Sequence, residues 1–206
     1  MSQHPHANHA LLLVGALVLS ACGRDPGRDV RPMAPPLASA PGSAGASATA
    51  IIPLEQVRKS QAAAVSQRVA NTEITVTYSR PVVRGRPLFG QLVPYDQVWN
   101  PGADQATAVA FSRDVEINGQ RLAAGKYSLW AIPRAGAWTI IVSRAADVYH
   151  TPYPGEAQDA ARFEVTPEDG PHTEVLTFSF PVVDGKDTVV RLQWGTVMVS
   201  LPVRVP

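Results

Sequence analysis

Val115-Glu116-Ile117-Asn118-Gly119-Gln120-Arg121-Leu122 is the stretch on which the fold turns. Two short strand-like runs flank an Asn-Gly pair, and both central positions of a type I′ turn need positive φ, which Asn and Gly adopt at least cost. The stretch therefore predicts a β-hairpin. Its surroundings keep the same period of two. Thr72-Glu73-Ile74-Thr75-Val76-Thr77-Tyr78 alternates strictly, so Ile74, Val76 and Tyr78 share one face and the threonines the other, as in a half-buried strand. Residues 126–132 run to a stop at Pro133 and pair back across 134–136 with 137–142. Further on, 174–181 and 188–194 are joined by 182–187, and a last strand, 196–201, follows Gly195. With 64–69, 106–111 and 161–165 the tally is roughly nine to eleven strands, with no long amphipathic helix. Consecutive hairpins favour antiparallel pairing. The expectation for residues 62–206 is an all-β, jelly-roll-like antiparallel β-sandwich.

Upstream the composition changes. From Gly23 to about Ala50 the chain is rich in Pro, Ala, Gly and Ser and nearly free of aromatic or large aliphatic residues, too little apolar surface to offset ordering entropy. Residues 22–61 are expected to be a flexible tether, with room for a short helical turn within 54–64. Before it lies an apolar run, 10–21, about a dozen residues long where a spanning helix needs about twenty. Residues 1–21 thus read as a signal peptide, removed before the protein folds.

The chain's single cysteine, Cys22, closes Leu19-Ser20-Ala21-Cys22. This resembles the lipobox of bacterial lipoproteins, which implies cleavage before Cys22, diacylglyceryl and acyl chains on it, and a membrane partner reached through that lipid. Two or more chains anchor stably where one holds only marginally. The alternatives are an ordinary secretory signal or a buried apolar helix with a chance cysteine, and the n-region carries no Lys or Arg. Gly23, rather than Asp, after the cysteine resembles the outer-membrane-directed class, so the expected address is a bacterial cell envelope, on the outer membrane if the cell is Gram-negative. A lipidated Cys22 leaves no thiol for disulfides, nucleophilic catalysis or metal binding.

Eighteen Lys and Arg stand against 17 Asp and Glu, a formal net charge of +1. That balance gives no basic stripe for nucleic acid. No phosphate loop, Gly-x-Ser-x-Gly or His-Glu-x-x-His occurs, and beyond the signal only His150 and His172 remain, so neither cofactor nor metal is expected.

One segment is more particular than generic β-sequence: Thr77-Tyr78-Ser79-Arg80-Pro81, Arg84-Gly85-Arg86, Phe89-Gly90, Leu92-Val93-Pro94-Tyr95, Val98-Trp99 and Gly102-Ala103-Asp104-Gln105-Ala106-Thr107, followed by Ala124-Gly125-Lys126-Tyr127-Ser128-Leu129 and Ile132-Pro133. It resembles the bacterial domain-of-unknown-function 2911 family across nearly all of 62–206. The resemblance implies an all-β secreted or lipoprotein domain and brings no reaction with it. Where the family pattern has Arg, Thr, Asn and Glu, this chain has Asn100, Pro101, Asp104 and Gln105.

Arg80, Arg84 and Arg86 fall within seven residues of one another around Gly85, and guanidinium forks suit carboxylate or phosphate. They form an anion pocket, or they peg a long loop to the sandwich. Non-helical stretches as long as 80–105 are often functional. Tyr95, Trp99 and Trp130 would stack on a sugar if exposed, or fill the core if not; Trp138 and Trp194 read as packed indoles with satisfied N–H groups. The expected binding surface is Arg80, Arg84, Arg86, Tyr95, Trp99, Asn100 and Asp104, for a small-molecule, glycan or anionic ligand. The competing class is a glycan hydrolase with Asp104 or His150 as acid-base group. Asp114 and Glu116, on one strand face, also have the chemistry of a glycosidase pair, though a solubilising role beside the hairpin explains them better.

Overall fold

A computed structural model describes residues 59–206. The expected signal peptide, Cys22 and most of the expected tether lie outside the described residues. Eleven strands follow in order: β1 (Gln61–Val69), β2 (Thr72–Arg80), β3 (Ala108–Phe111), β4 (Val115–Ile117), β5 (Gln120–Leu122), β6 (Gly125–Ile132), β7 (Trp138–Ser143), β8 (Asp159–Val165), β9 (Glu168–Ser179), β10 (Val183–Asp184) and β11 (Asp187–Arg204). The 3-10 turn Glu156–Gln158 is the one helical element among the described residues. Where the sequence left room for a helical turn, Gln61 to Ala64 are instead strand, tied in unbroken register to β2 from Gln61↔Arg80 to Val69↔Thr72.

Six strands make one antiparallel sheet in the order β1-β2-β3-β6-β7-β8, and the others a five-stranded sheet running β10-β11-β4-β5, with β9 also paired to β11. Between them lies the core, with Ile74, Val76, Phe111, Leu129 and Ile140 from the first sheet and Leu176, Leu192, Val199 and Leu201 from the second. The chain is an antiparallel β-sandwich, as its alternation predicts. The Asn-Gly hairpin also forms, with φ of 46° at Asn118 and 80° at Gly119, both in the left-handed region a type I′ turn needs.

β11 is one run of 18 residues, about 60 Å if straight, yet its ends touch. The Val205 N–H donates to the Lys186 carbonyl at 2.8 Å, and the Arg204 guanidinium donates to both carboxylate oxygens of Asp187 at 2.8 Å. The run doubles back at Gly195, where φ is 60° and a Cβ would stand 2.8 Å from Leu88 Cδ1. Burial falls on even positions before the bend (Thr188, Val190, Leu192) and on odd ones after it (Val199, Leu201, Val203). That switch keeps one face of the doubled strand turned to the core. The two strands expected on either side of Gly195 are thus two arms of one uninterrupted run.

β7 is buried at every residue and β6 at most of them, because the outer face of their sheet is covered too. Trp130 and Ile141 pack there with Ala106, Val148 and Tyr153. The covering segment is held by a charged cluster, in which the Tyr153 hydroxyl donates to Asp159 while the Arg162 Nε donates to the other Asp159 oxygen at 3.0 Å. Burial first, and the Asp159 carboxylate second, push the Tyr153 phenol up to about 12.

Candidate functional site

The long connection 81–107 joins β2 to β3, and backbone pairing stitches it to three places. Val82 bridges to Val175 of β9, Trp99 to Ala131 of β6, and Gln105 to Tyr149. These attachments set where its side chains point.

The three arginines part company. Arg80 donates from Nε to the Leu176 carbonyl at 3.3 Å and from Nη2 to Thr177 Oγ1 at 3.2 Å, pegging β2 to β9. Arg86 folds onto its own turn, with Nε on the Val83 carbonyl at 2.9 Å and Nη2 on the Val82 carbonyl at 2.6 Å. Arg84, at φ 53°, donates its backbone N–H to Glu174 Oε1 at 2.8 Å. Its guanidinium is exposed and has no partner among the described residues. The hydrogen bond with His172, then that from the Arg84 N–H, hold the Glu174 carboxyl below its ordinary range.

Asn100 is 2 % exposed and works as scaffold: Nδ2 donates to the Leu129 carbonyl at 2.7 Å and Oδ1 accepts the Thr107 N–H at 3.0 Å. Gly102 belongs to the same knot, since a Cβ there would lie 2.6 Å from Thr107 Oγ1. Asp104, at φ 60°, offers its backbone carbonyl to the His150 N–H at 2.9 Å and to His150 Nδ1 at 2.8 Å. A carbonyl only accepts, so Nδ1 carries the proton and Nε2 is the ring's remaining polar position. Tyr95 is 40 % exposed, and its ring lies against Gly90.

Trp99 joins an aromatic cluster. It stacks on Trp194 at 6.0 Å and 14° and meets Phe89 and Trp138 edge-on at 5.7 and 6.4 Å. Trp130 is fully buried, and its Nε1 donates to Ser128 Oγ at 2.8 Å; Trp138 Nε1 donates to the Arg134 carbonyl at 3.0 Å. Trp194 departs from the expectation of a satisfied indole. It is 3 % exposed, and its Nε1 has no hydrogen-bond partner among the described residues.

These groups meet in a cleft of about 460 Å³ lined by Lys59, Arg84, Arg86 and His150 on its basic side, by Trp99 and Trp194, and by Leu92 and Val93. No Asp or Glu lines it among the described residues. Of the seven residues expected to bind, Arg84, Arg86 and Trp99 reach the cleft, while Arg80, Tyr95, Asn100 and Asp104 do not. Asp104 lines a neighbouring cavity of about 590 Å³ beside the alanines of β1. Lys59 was hidden from sequence reasoning, because it precedes the first strand by two residues. His150 was visible only as an acid-base candidate. Asp114 and Glu116 line a separate cavity with Arg121 and Arg204, and Asp114 Oδ1 accepts the Ala124 N–H at 2.9 Å.

The fold and this cleft define a class: an antiparallel β-sandwich whose long β2–β3 connection builds a cationic, indole-walled recess. The chain belongs to the family described as "Protein of unknown function (DUF2911)", whose model matches residues 60–203. The match spans both sheets and the whole 81–107 connection. No curated protein and no solved structure matches the chain.

Proposed function

We propose that the protein is a lipid-anchored, extracytoplasmic binding module of the bacterial envelope and that the cleft takes an anionic ligand. The observation that carries the binding reading is the convergence of Lys59, Arg84, Arg86 and His150 in one recess that no carboxylate lines among the described residues. Several donors of one sign around a recess with apolar walls raise the local potential for an anion well above that of a scattered surface charge. Arg84 is the central contact, because Arg80 and Arg86 are engaged by carbonyls and a hydroxyl of the fold.

The anchor rests on the lipobox-like Leu19-Ser20-Ala21-Cys22 and the Pro/Ala/Gly/Ser tether behind it. A module on such a tether samples a reach that grows as the square root of tether length. The glycan hydrolase reading is the weaker one: general acid-base work needs a titratable pair facing one substrate, and Asp104 meets His150 through its backbone carbonyl and lines the next cavity.

Thermal unfolding of the protein in graded sulfate, phosphate and citrate tests the cleft. The expected result is a concentration-dependent rise in Tm that the Arg84→Ala variant loses while keeping its ligand-free Tm. A rise that survives Arg84→Ala would sink the assignment. For the anchor, Cys22→Ser is expected to move the protein from the membrane fraction to the soluble one, and unchanged fractionation would reject it.

A further inference from the structure

The cationic cleft sits where the tether arrives. Lys59, the first described residue, lines it, and residues 22–58 connect Lys59 to Cys22. A flexible chain of that length has a root-mean-square reach of about 30–36 Å. Charge singles out the same face. Of the chain's 18 Lys and Arg and 17 Asp and Glu, four and three precede residue 59, so the described domain is neutral as a whole. Three of its cations, Lys59, Arg84 and Arg86, nevertheless line one recess, and all three are exposed. Glu174, whose carboxylate takes the Arg84 N–H at 2.8 Å and meets His172 at 3.0 Å, does not line it. Apolar surface adjoins the cations. Leu92, also in the cleft lining, is 42 % exposed, and Tyr149, 48 % exposed, has its ring 4.4 Å from that of His150, another lining residue. Basic groups beside exposed leucine and tyrosine are the combination that lies on an anionic bilayer, cations at the phosphates and apolar side chains at the boundary between headgroups and acyl chains.

Building on the anchored, anion-binding reading above, we propose that the cleft docks on anionic phospholipid of the bilayer that holds the chain: Arg84, with Lys59 and Arg86 beside it, meets headgroup phosphates while Leu92 and Tyr149 enter the headgroup–acyl boundary. A free phosphate or citrate ion would engage the same guanidinium but would give the two exposed apolar side chains nothing to enter. The tether makes weak docking sufficient. Each Lys or Arg near an anionic surface adds about fivefold in affinity, which for three cations is too little to hold an untethered protein firmly. A domain confined by its anchor meets the headgroups at high effective concentration, so the same contacts suffice. Docking would turn the cleft toward the bilayer and give the tethered domain a fixed orientation on it.

The test uses the mature chain, residues 22–206, with Cys22→Ser so that no lipid of its own contributes, in co-sedimentation with vesicles of phosphatidylcholine alone or of equimolar phosphatidylcholine and phosphatidylglycerol. Binding is expected to the anionic vesicles, to fall as salt is raised, and to resist inorganic phosphate added at the concentration of the lipid phosphate. Arg84→Ala and Leu92→Ser are each expected to weaken it by about fivefold. Arg84→Lys should keep it, and so should Arg121→Ala, which removes an exposed cation from a separate cavity; circular dichroism checks that each variant is folded. Docking falls if the anionic vesicles bind no better than neutral ones, if inorganic phosphate displaces them, if Arg84→Ala weakens binding no more than Arg121→Ala, or if Leu92→Ser leaves it intact. In each of those cases the anion cleft stands so long as sulfate raises Tm through Arg84. If neither sulfate nor anionic vesicles bind, the cleft reading falls as well.

Discussion

Asn100→Ala should cost stability rather than affinity. The side-chain amide is buried among Thr107 and Leu129, both nearly inaccessible, and truncation removes two bonds at once. The Thr107 N–H loses its acceptor inside the fold, worth about 1–3 kcal/mol, and the Leu129 carbonyl loses one donor, about 0.5–1.5 kcal/mol. The sum is about 2–4 kcal/mol, a large share of the roughly 5–15 kcal/mol that holds a domain folded. For a sandwich of this size it corresponds to a fall in Tm of roughly 5–15 °C. Thermal unfolding by circular dichroism and urea titration with an unchanged m-value would measure it. Asn100→Asp sharpens the argument, because a carboxylate still accepts from Thr107 but sets a second oxygen against the Leu129 carbonyl. Its folded pKa must rise above the unfolded value, so stability is greatest below the ordinary Asp range and falls as pH climbs through the raised value. An Asn100→Ala variant that keeps its Tm yet loses a ligand-induced shift would refute this reasoning and return the amide to the binding surface.

Gly195→Ala should destabilise by about 2–4 kcal/mol through left-handed strain and the collision with Leu88; a double-mutant cycle with Leu88→Ala should recover part of that loss in urea midpoints, and strict additivity would deny the contact. Arg84→Gly should leave stability equal or raise it by up to about 1 kcal/mol, since φ is 53° there, while abolishing any sulfate-induced rise in Tm. Arg86→Ala should lower Tm by itself, because it removes the side-chain donors to the Val82 and Val83 carbonyls and leaves Val83 only the backbone N–H of residue 86 at 3.2 Å, and an unperturbed Tm would show that the turn stands without it. The Tyr153 phenol, pushed up to about 12 from 10.0, favours folding while neutral; that contribution is complete below pH 10 and lost as pH rises toward 12. Tyr153→Phe should therefore flatten the alkaline limb of a stability–pH curve, and an unaltered limb would mean that the phenol does not report folding.

The hairpin at Asn118-Gly119 was legible because its cause is local: two adjacent residues that tolerate positive φ, set between two alternating runs. The break at Gly195 was legible for the same reason, but the pairing that resumes beyond it, with a register shift on either side of Gly195, was not, since β9 supplies that pairing from outside the segment. The arginines show where such reading stops. Arg80, Arg84 and Arg86 are equivalent in sequence, and what separates them is the register of Pro81 to Arg86 against residues 174–177, some ninety positions away. That register gives Arg80 a carbonyl and a hydroxyl, lets Arg86 close its own turn, and leaves Arg84 at positive φ with its N–H on Glu174 and its guanidinium outward. Asn100 follows the same logic. The family pattern that the chain resembles has an arginine at that position. The side chain at 100 points into the fold between Thr107 and Leu129, so the cationic side chains of the cleft, among the described residues, are Lys59, Arg84 and Arg86. Exchanging Asn for Arg at position 100 would bury a cation rather than add one to the site.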